Sequence, residues 1–181
     1  MATSKTGSFW LTDVASFTAA DISGTVVSAT IDLGAYVDVG DQQALAVESV
    51  DFMWQRGTAF AGDYEGMVNG NGALQAQLSD LNPGGVILRA DDNSLVADGV
   101  LNIDQTNNIG TSAANFYPDS FGKLDEARMV VNDQLYLQCA VTGAAIGSHP
   151  VYCIVRVKCR IVKLSTKDWM AIAIQSTAAD N

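Results

Sequence analysis

Histidine is almost absent from this chain. His149 is the single copy in 181 residues, so a histidine-rich metal site or a two-histidine mechanism cannot be built from it. Cysteine is sparse and odd in number, and Cys139, Cys153 and Cys159 contain no CxxC pair. That argues against both a disulfide framework and a structural zinc site. Cys153 and Cys159 lie six residues apart, roughly 20 Å along a strand, too far to bond to each other. Buried thiols are the expected state. No window approaches the roughly 18 apolar residues of a membrane span, and residues 1–8 lack the apolar stretch of a secretory leader. The expectation is a protein made and folded in a cytoplasm. Proline is limited to three residues, and no Pro-rich linker or internal repeat divides the chain.

Recognisable catalytic motifs are missing as well. No GxSxG elbow occurs, and Ser148 beside His149 is adjacency without geometry. The glycines of residues 66–72 and Gly84-Gly85 fit no phosphate-binding loop and read as turns. Asp38 with Asp41, Asp63 with Glu65, and Asp91-Asp92-Asn93 could offer oxygen ligands to a cation. None has the EF-hand spacing, and Asp and Asn favour turns for backbone reasons alone. No metal and no cofactor is expected.

What the chain does have is apolar content, with 48% hydrophobic residues against 17% charged. That is enough to bury a core. The hydrophobic residues alternate with period two through 25–33, 44–54, 73–78, 134–142 and 151–164, with further strands expected at 86–90 and 95–103. A change of face between Glu48 and Asp51 marks a bulge or bend. Trp169 to Gln175 alternates again after a turn-forming Ser165-Thr166-Lys167-Asp168, predicting a terminal hairpin over 151–175. Helix is limited to short candidates at 13–20 and 119–127. The expected fold is all-β: an antiparallel β-sandwich, a single jelly roll of about eight strands with long loops, with barrel closure as the competing architecture. Residues 9–175 are expected to form a single jelly-roll domain, flanked by a flexible N-terminal arm, 1–8, and a C-terminal tail, 176–181.

Charge is unevenly placed. Ten basic residues stand against 20 acidic ones, a formal charge of -10. Arg156, Lys158, Arg160, Lys163 and Lys167 nevertheless fall within twelve positions, and the first three share one face of a strand. The stripe is either a solvated sheet face or a docking surface for the acidic face of another copy, for anionic lipid heads, or for packaged nucleic acid. It lacks the interleaved aromatics of a single-strand binder. Phe52 and Trp54 can enter the core only if Met53 does not.

In layout, with its short polar arm, strand count, long Gly- and Asn-bearing loops at 57–72 and 104–122, and final segment 151–175, the chain resembles the small single jelly-roll major capsid proteins of tailless icosahedral viruses. The internal-membrane viruses of archaea and thermophilic bacteria are the nearest type. The resemblance implies a structural virion protein that self-assembles into an icosahedral shell, made in the host cytoplasm and located in the virion, without enzymatic activity. Its partners would be other copies of itself and other capsid proteins, with contact to an internal lipid membrane or packaged genome through Arg156, Lys158, Arg160, Lys163 and Lys167. With Lys5 as the sole basic residue of the arm, contact with neighbours or lipid fits better than genome binding. The alternative function is a β-sandwich ligand-binding module such as a carbohydrate-binding domain; a cupin-like enzyme is disfavoured by the single histidine.

Overall fold

The computed structural model describes residues 2–116 and 127–177. Two antiparallel sheets of five strands each face one another. The first contains β1 (Thr3–Ser4), β2 (Phe9–Phe17), β4 (Gln43–Arg56), β8 (Arg128–Val130) and β10 (Val151–Lys163). The second contains β3 (Val26–Asp32), β5 (Gly72–Ser79), β6 (Leu95–Asp104), β7 (Ile109–Phe116) and β9 (Gln134–Thr142). Their orders are β2-β10-β4-β8 and β3-β9-β5-β6-β7. Consecutive strands from β2 to β5 alternate between the sheets, and β8, β9 and β10 return to the sheets of β4, β5 and β2. That is the jelly roll the alternation predicts. β1 pairs with the end of β10 on the same edge as β2, so residues 3–17 form one interrupted edge strand.

Period two explains the layers. Val151, Cys153, Val155, Val157 and Cys159 are all fully buried and point between the sheets, as do Leu135, Leu137, Cys139 and Val141 of β9. The even positions of β10 face outward. In β4 the register against β10 slips between Lys158 and Cys159, leaving Glu48 as the extra residue of a bulge. The slip exchanges the faces: Leu45 and Val47 point inward before it, Val50 and Trp54 after it. Phe52 packs against the core and Met53 is exposed, as the alternation requires.

Cys139 and Cys153 come from opposite sheets. Burial, and then contact with Cys139, pushes the Cys153 thiol well above the ordinary range. Burial and then the Glu48 carboxylate push Cys159 up to about 12. All three cysteines are buried and free.

Three expectations are corrected. The segment after Ser165 is not the second strand of a hairpin but a helix, α1 (Thr166–Thr177). Ser165 caps it, its Oγ accepting the Asp168 N–H at 3.2 Å. Alternation at 170, 172 and 174 is also compatible with a helix whose buried positions are 169, 172 and 173. Trp169, Ile172 and Ala173 pack on a second cluster made by Ala44, Ala46, Val131, Val162 and Leu164. The outward face of the first sheet is apolar at this end, and a helix covers it better than an edge strand could. Residues 13–20 are not helical, because β2 runs to Phe17 with its whole length paired to β10. Residues 86–90 form no strand. The amide of Gln77 substitutes for a strand partner there, donating to Leu88 O at 2.9 Å and accepting the Leu88 N–H at 2.7 Å. The helix considered at 119–127 lies, except for Ala127, outside the described residues.

One close approach yields a prediction. A Cβ on Gly147 would fall 2.1 Å from the carbonyl oxygen of Gly66, and both partners are backbone held by loop hydrogen bonds such as Gly147 N to Met67 O at 3.0 Å. Gly147→Ala should therefore destabilise the fold by about 1–3 kcal/mol, read as a lowered urea midpoint with unchanged slope.

Candidate functional site

β2, β10 and β4 lie side by side, and their register places residues on the outward face in rows. The first row is Ser16, Tyr152 and Gln55; the second is Val14, Ile154 and Met53. Thr12, Arg156 and Asp51 form the third, and Trp10, Lys158 and Ser49 the fourth. Beyond them Arg160 leads to Val162 and Leu164, which lie under α1. The face therefore changes character along β10: helix-covered and apolar, then basic, then apolar and bare.

The basic part is internally engaged. Glu48, the bulge residue, is only 3% exposed. Both Nε and Nη2 of Arg160 donate to its Oε1. The ammonium of Lys158 stands 3.7 Å from Oε2, which also accepts the Ser8 hydroxyl at 2.9 Å. The guanidinium of Arg156 sits over the Trp10 ring, 4.6 Å from its centroid, a cation–π contact that directs it toward β2. Arg156, Lys158 and Arg160 are thus brought together on one face. Lys163 has the opposite parity and is exposed where β10 passes Thr3 and Gln43. Lys167 is exposed in the first turn of α1.

The bare part went unnoticed in the sequence. Val14 is 48% exposed, Met53 41% and Phe60 56%, with Ile154 half-buried between the first two. Phe60 tilts against Tyr152 at 5.6 Å between centroids. Ile154 was the available signal, the one aliphatic residue among the outward positions from 152 to 160. The outward face of the second sheet is different: Gln75, Gln77 and Gln138 occupy it, and the loop carrying Leu88 folds over Gln77.

The acids considered as cation ligands serve turns and ion pairs. Asp38 Oδ1 accepts the Gly40 N–H at 2.8 Å, and Asp92 Oδ1 accepts both the N–H and the hydroxyl of Ser94. Asp63 bonds Arg56, which holds its carboxyl below the usual range. Among the described residues no three His, Cys, Asp or Glu side chains gather as a metal cage. His149 is exposed on the turn before β10.

No protein-family model matches the chain, and no curated protein matches it. Among solved structures, the chain is similar to an unassembled Washington University polyomavirus VP1 pentamer carrying an arginine-to-lysine substitution. The identity is 8% and the TM-score 0.40, over 86% of this chain and 94% of that one. The jelly-roll topology stands on strand order and register, independently of that likeness.

Proposed function

We propose that the chain is a structural coat protein, many copies of which pack side by side into a closed icosahedral shell, with the virion as its site of residence and the host cytoplasm as its place of synthesis. The observation that carries this reading is a jelly roll whose outward sheet face is sealed by its own helix at one end and left bare at the other, with Val14 and Met53 exposed on either side of a half-buried Ile154. A bare apolar row on a sheet is a contact surface in search of cover. The basic stripe contributes by shaping that surface, since Glu48 holds Arg160 and Lys158 and Trp10 holds Arg156. Other coat proteins or an internal lipid layer would meet the shell at its remaining faces.

A carbohydrate-binding module fits less well. Sugar stacking needs an open aromatic face; Trp10 already carries the Arg156 guanidinium, Phe60 tilts against Tyr152, and the Tyr64 ring lies against Gly110. Light scattering on the purified protein, followed by negative-stain microscopy, tests the coat reading. Shells, sheets or regular capsomers are the expected products. A strict monomer across a wide range of salt and concentration would reject it.

A further inference from the structure

We infer that the bare half of the outward face, centred on Ile154, is a two-fold contact between copies of this chain, with its axis running along β10. The inference deepens the coat reading and rests on it for the identity of the occupant, a second copy.

The geometry is self-complementary. A two-fold axis parallel to β10 lays each row on its own copy but exchanges the β2 and β4 sides. In the second row Ile154 then meets itself, while Val14 meets Met53 of the second copy, closing the apolar row from both sides. The third row decides the sign of the charges. Arg156 leans toward β2 over Trp10, away from its own symmetry mate, and the position facing that side is Asp51 of the second copy. Asp51 is exposed and makes no ion pair among the described residues. The same axis thus supplies each copy with a cation for its unpaired acid, twice per contact.

Charge also separates this occupant from the alternatives. With a formal charge of -10, the chain as a whole repels anionic lipid and nucleic acid. At the face itself one of the two outermost cations, Lys158, is already beside Glu48. A second copy brings matched residues in matched number, and its own repulsion is offset where Arg156 meets Asp51.

The test has two arms. In analytical ultracentrifugation over a wide range of concentration, Ile154→Asp should weaken association at least about 100-fold, because two unpaired carboxylates would be buried at the centre of the contact. Asp51→Arg and Arg156→Asp should each weaken it, and the double variant should recover toward wild type. In the second arm, Val14→Cys and Met53→Cys are combined. Within one chain these positions flank β10, about 9.6 Å apart and beyond the roughly 7 Å limit of a disulfide, so coupling joins two chains only. Glutathione disulfide serves as oxidant, reduced to two glutathione thiols as each pair of introduced thiols couples. The three native cysteines are buried and do not compete.

A covalent dimer, with loss of association in Ile154→Asp and a circular dichroism spectrum like wild type, supports the contact. A folded Ile154→Asp protein that associates like wild type overturns it, as does failure to cross-link. If shells form in both wild type and Ile154→Asp, this contact fails while the coat reading stands. If wild type stops at a dimer that Ile154→Asp abolishes, the contact stands and the coat reading fails.

Discussion

Replacing Arg160 with leucine should lower the unfolding free energy by about 3–5 kcal/mol, the range seen when one member of a buried ion pair is removed. Glu48 is the reason. Its carboxylate is 3% exposed at the β4 bulge, and Arg160 is its main partner, with a side chain only 20% exposed. Lys158 cannot replace it. Its ammonium lies 3.7 Å away and is 41% exposed, and it has no planar fork with which to bond one carboxylate oxygen twice. Urea denaturation at pH 7 measures the loss, and a change below about 1 kcal/mol would refute the buried-pair account, since that is the range of an exposed pair. The double variant Glu48→Leu with Arg160→Leu should recover most of the stability, because the cost lies in a stranded charge more than in a lost attraction. The result also bears on function. If Arg160 acted mainly as a docking residue, its loss would disturb assembly and leave the monomer's stability within a few tenths of a kcal/mol.

That contrast shows which parts of the molecule were legible beforehand. The inward residues of β10 and β9 were visible, because period two with uniformly aliphatic or thiol side chains has one physical solution, a strand with one dry face. The bulge was visible too, since Val47 and Val50 cannot share a face without an extra residue between them. The terminal helix was not. Met170, Ile172 and Ile174 satisfy period two, while Trp169, Ile172 and Ala173 satisfy the helical period. The choice between them was made by an apolar patch on Ala44, Ala46 and Val162, more than a hundred residues away for the first two. The basic stripe was half legible. Its shared face could be read from parity, but its partner Glu48 could be found only through the β4–β10 register. Of the apolar row, only Ile154 shows within a single strand, as the one aliphatic residue among the outward positions of β10 from 152 to 160. The row exists because Val14 and Met53 arrive from either side, and neither neighbour is close to Ile154 in sequence.

A second large effect is expected on the β8 side of β4, where Arg128 pairs with Val47, and it depends on pH. Asp80 follows β5 in the second sheet and is 1% exposed. Arg128 reaches it from β8 of the first sheet, with Nη2 at 3.3 Å from Oδ2, and also donates to Asn93 O at 2.5 Å. The Asn132 amide donates to Asp80 O at 2.7 Å, so the pair sits at a junction of both sheets. The match is incomplete, because Asp80 Oδ1 and Arg128 Nε have no partner among the described residues. Burial therefore dominates and pushes the carboxyl up to about 6. The Arg128 charge and hydrogen bond oppose the rise, and Asp92 adds to it. Between its unfolded value, about 3.9, and this raised one, the native state holds a proton that the unfolded chain has released. The contribution of Asp80 is thus fully favourable below about pH 4 and is lost as the pH rises through about 6, an effect on the order of 3 kcal/mol.

Asp80→Asn removes the titration. The stability of the variant relative to wild type should therefore rise by roughly 2–2.5 kcal/mol between pH 4 and pH 7.5, whatever the offset from the altered contact with Arg128. Chemical denaturation of both proteins across that range measures the difference, in which titrations common to both cancel. A difference that stays flat would mean that the carboxyl is already ionised at pH 4, with Arg128 outweighing burial. Arg128→Leu supplies the complementary case. Without the cation, nothing on Arg128 opposes burial, so the proton should be held to still higher pH and the acid-side gain should extend upward. The sheets would then be joined at this corner most firmly under mildly acidic conditions, when the carboxyl at the junction is neutral.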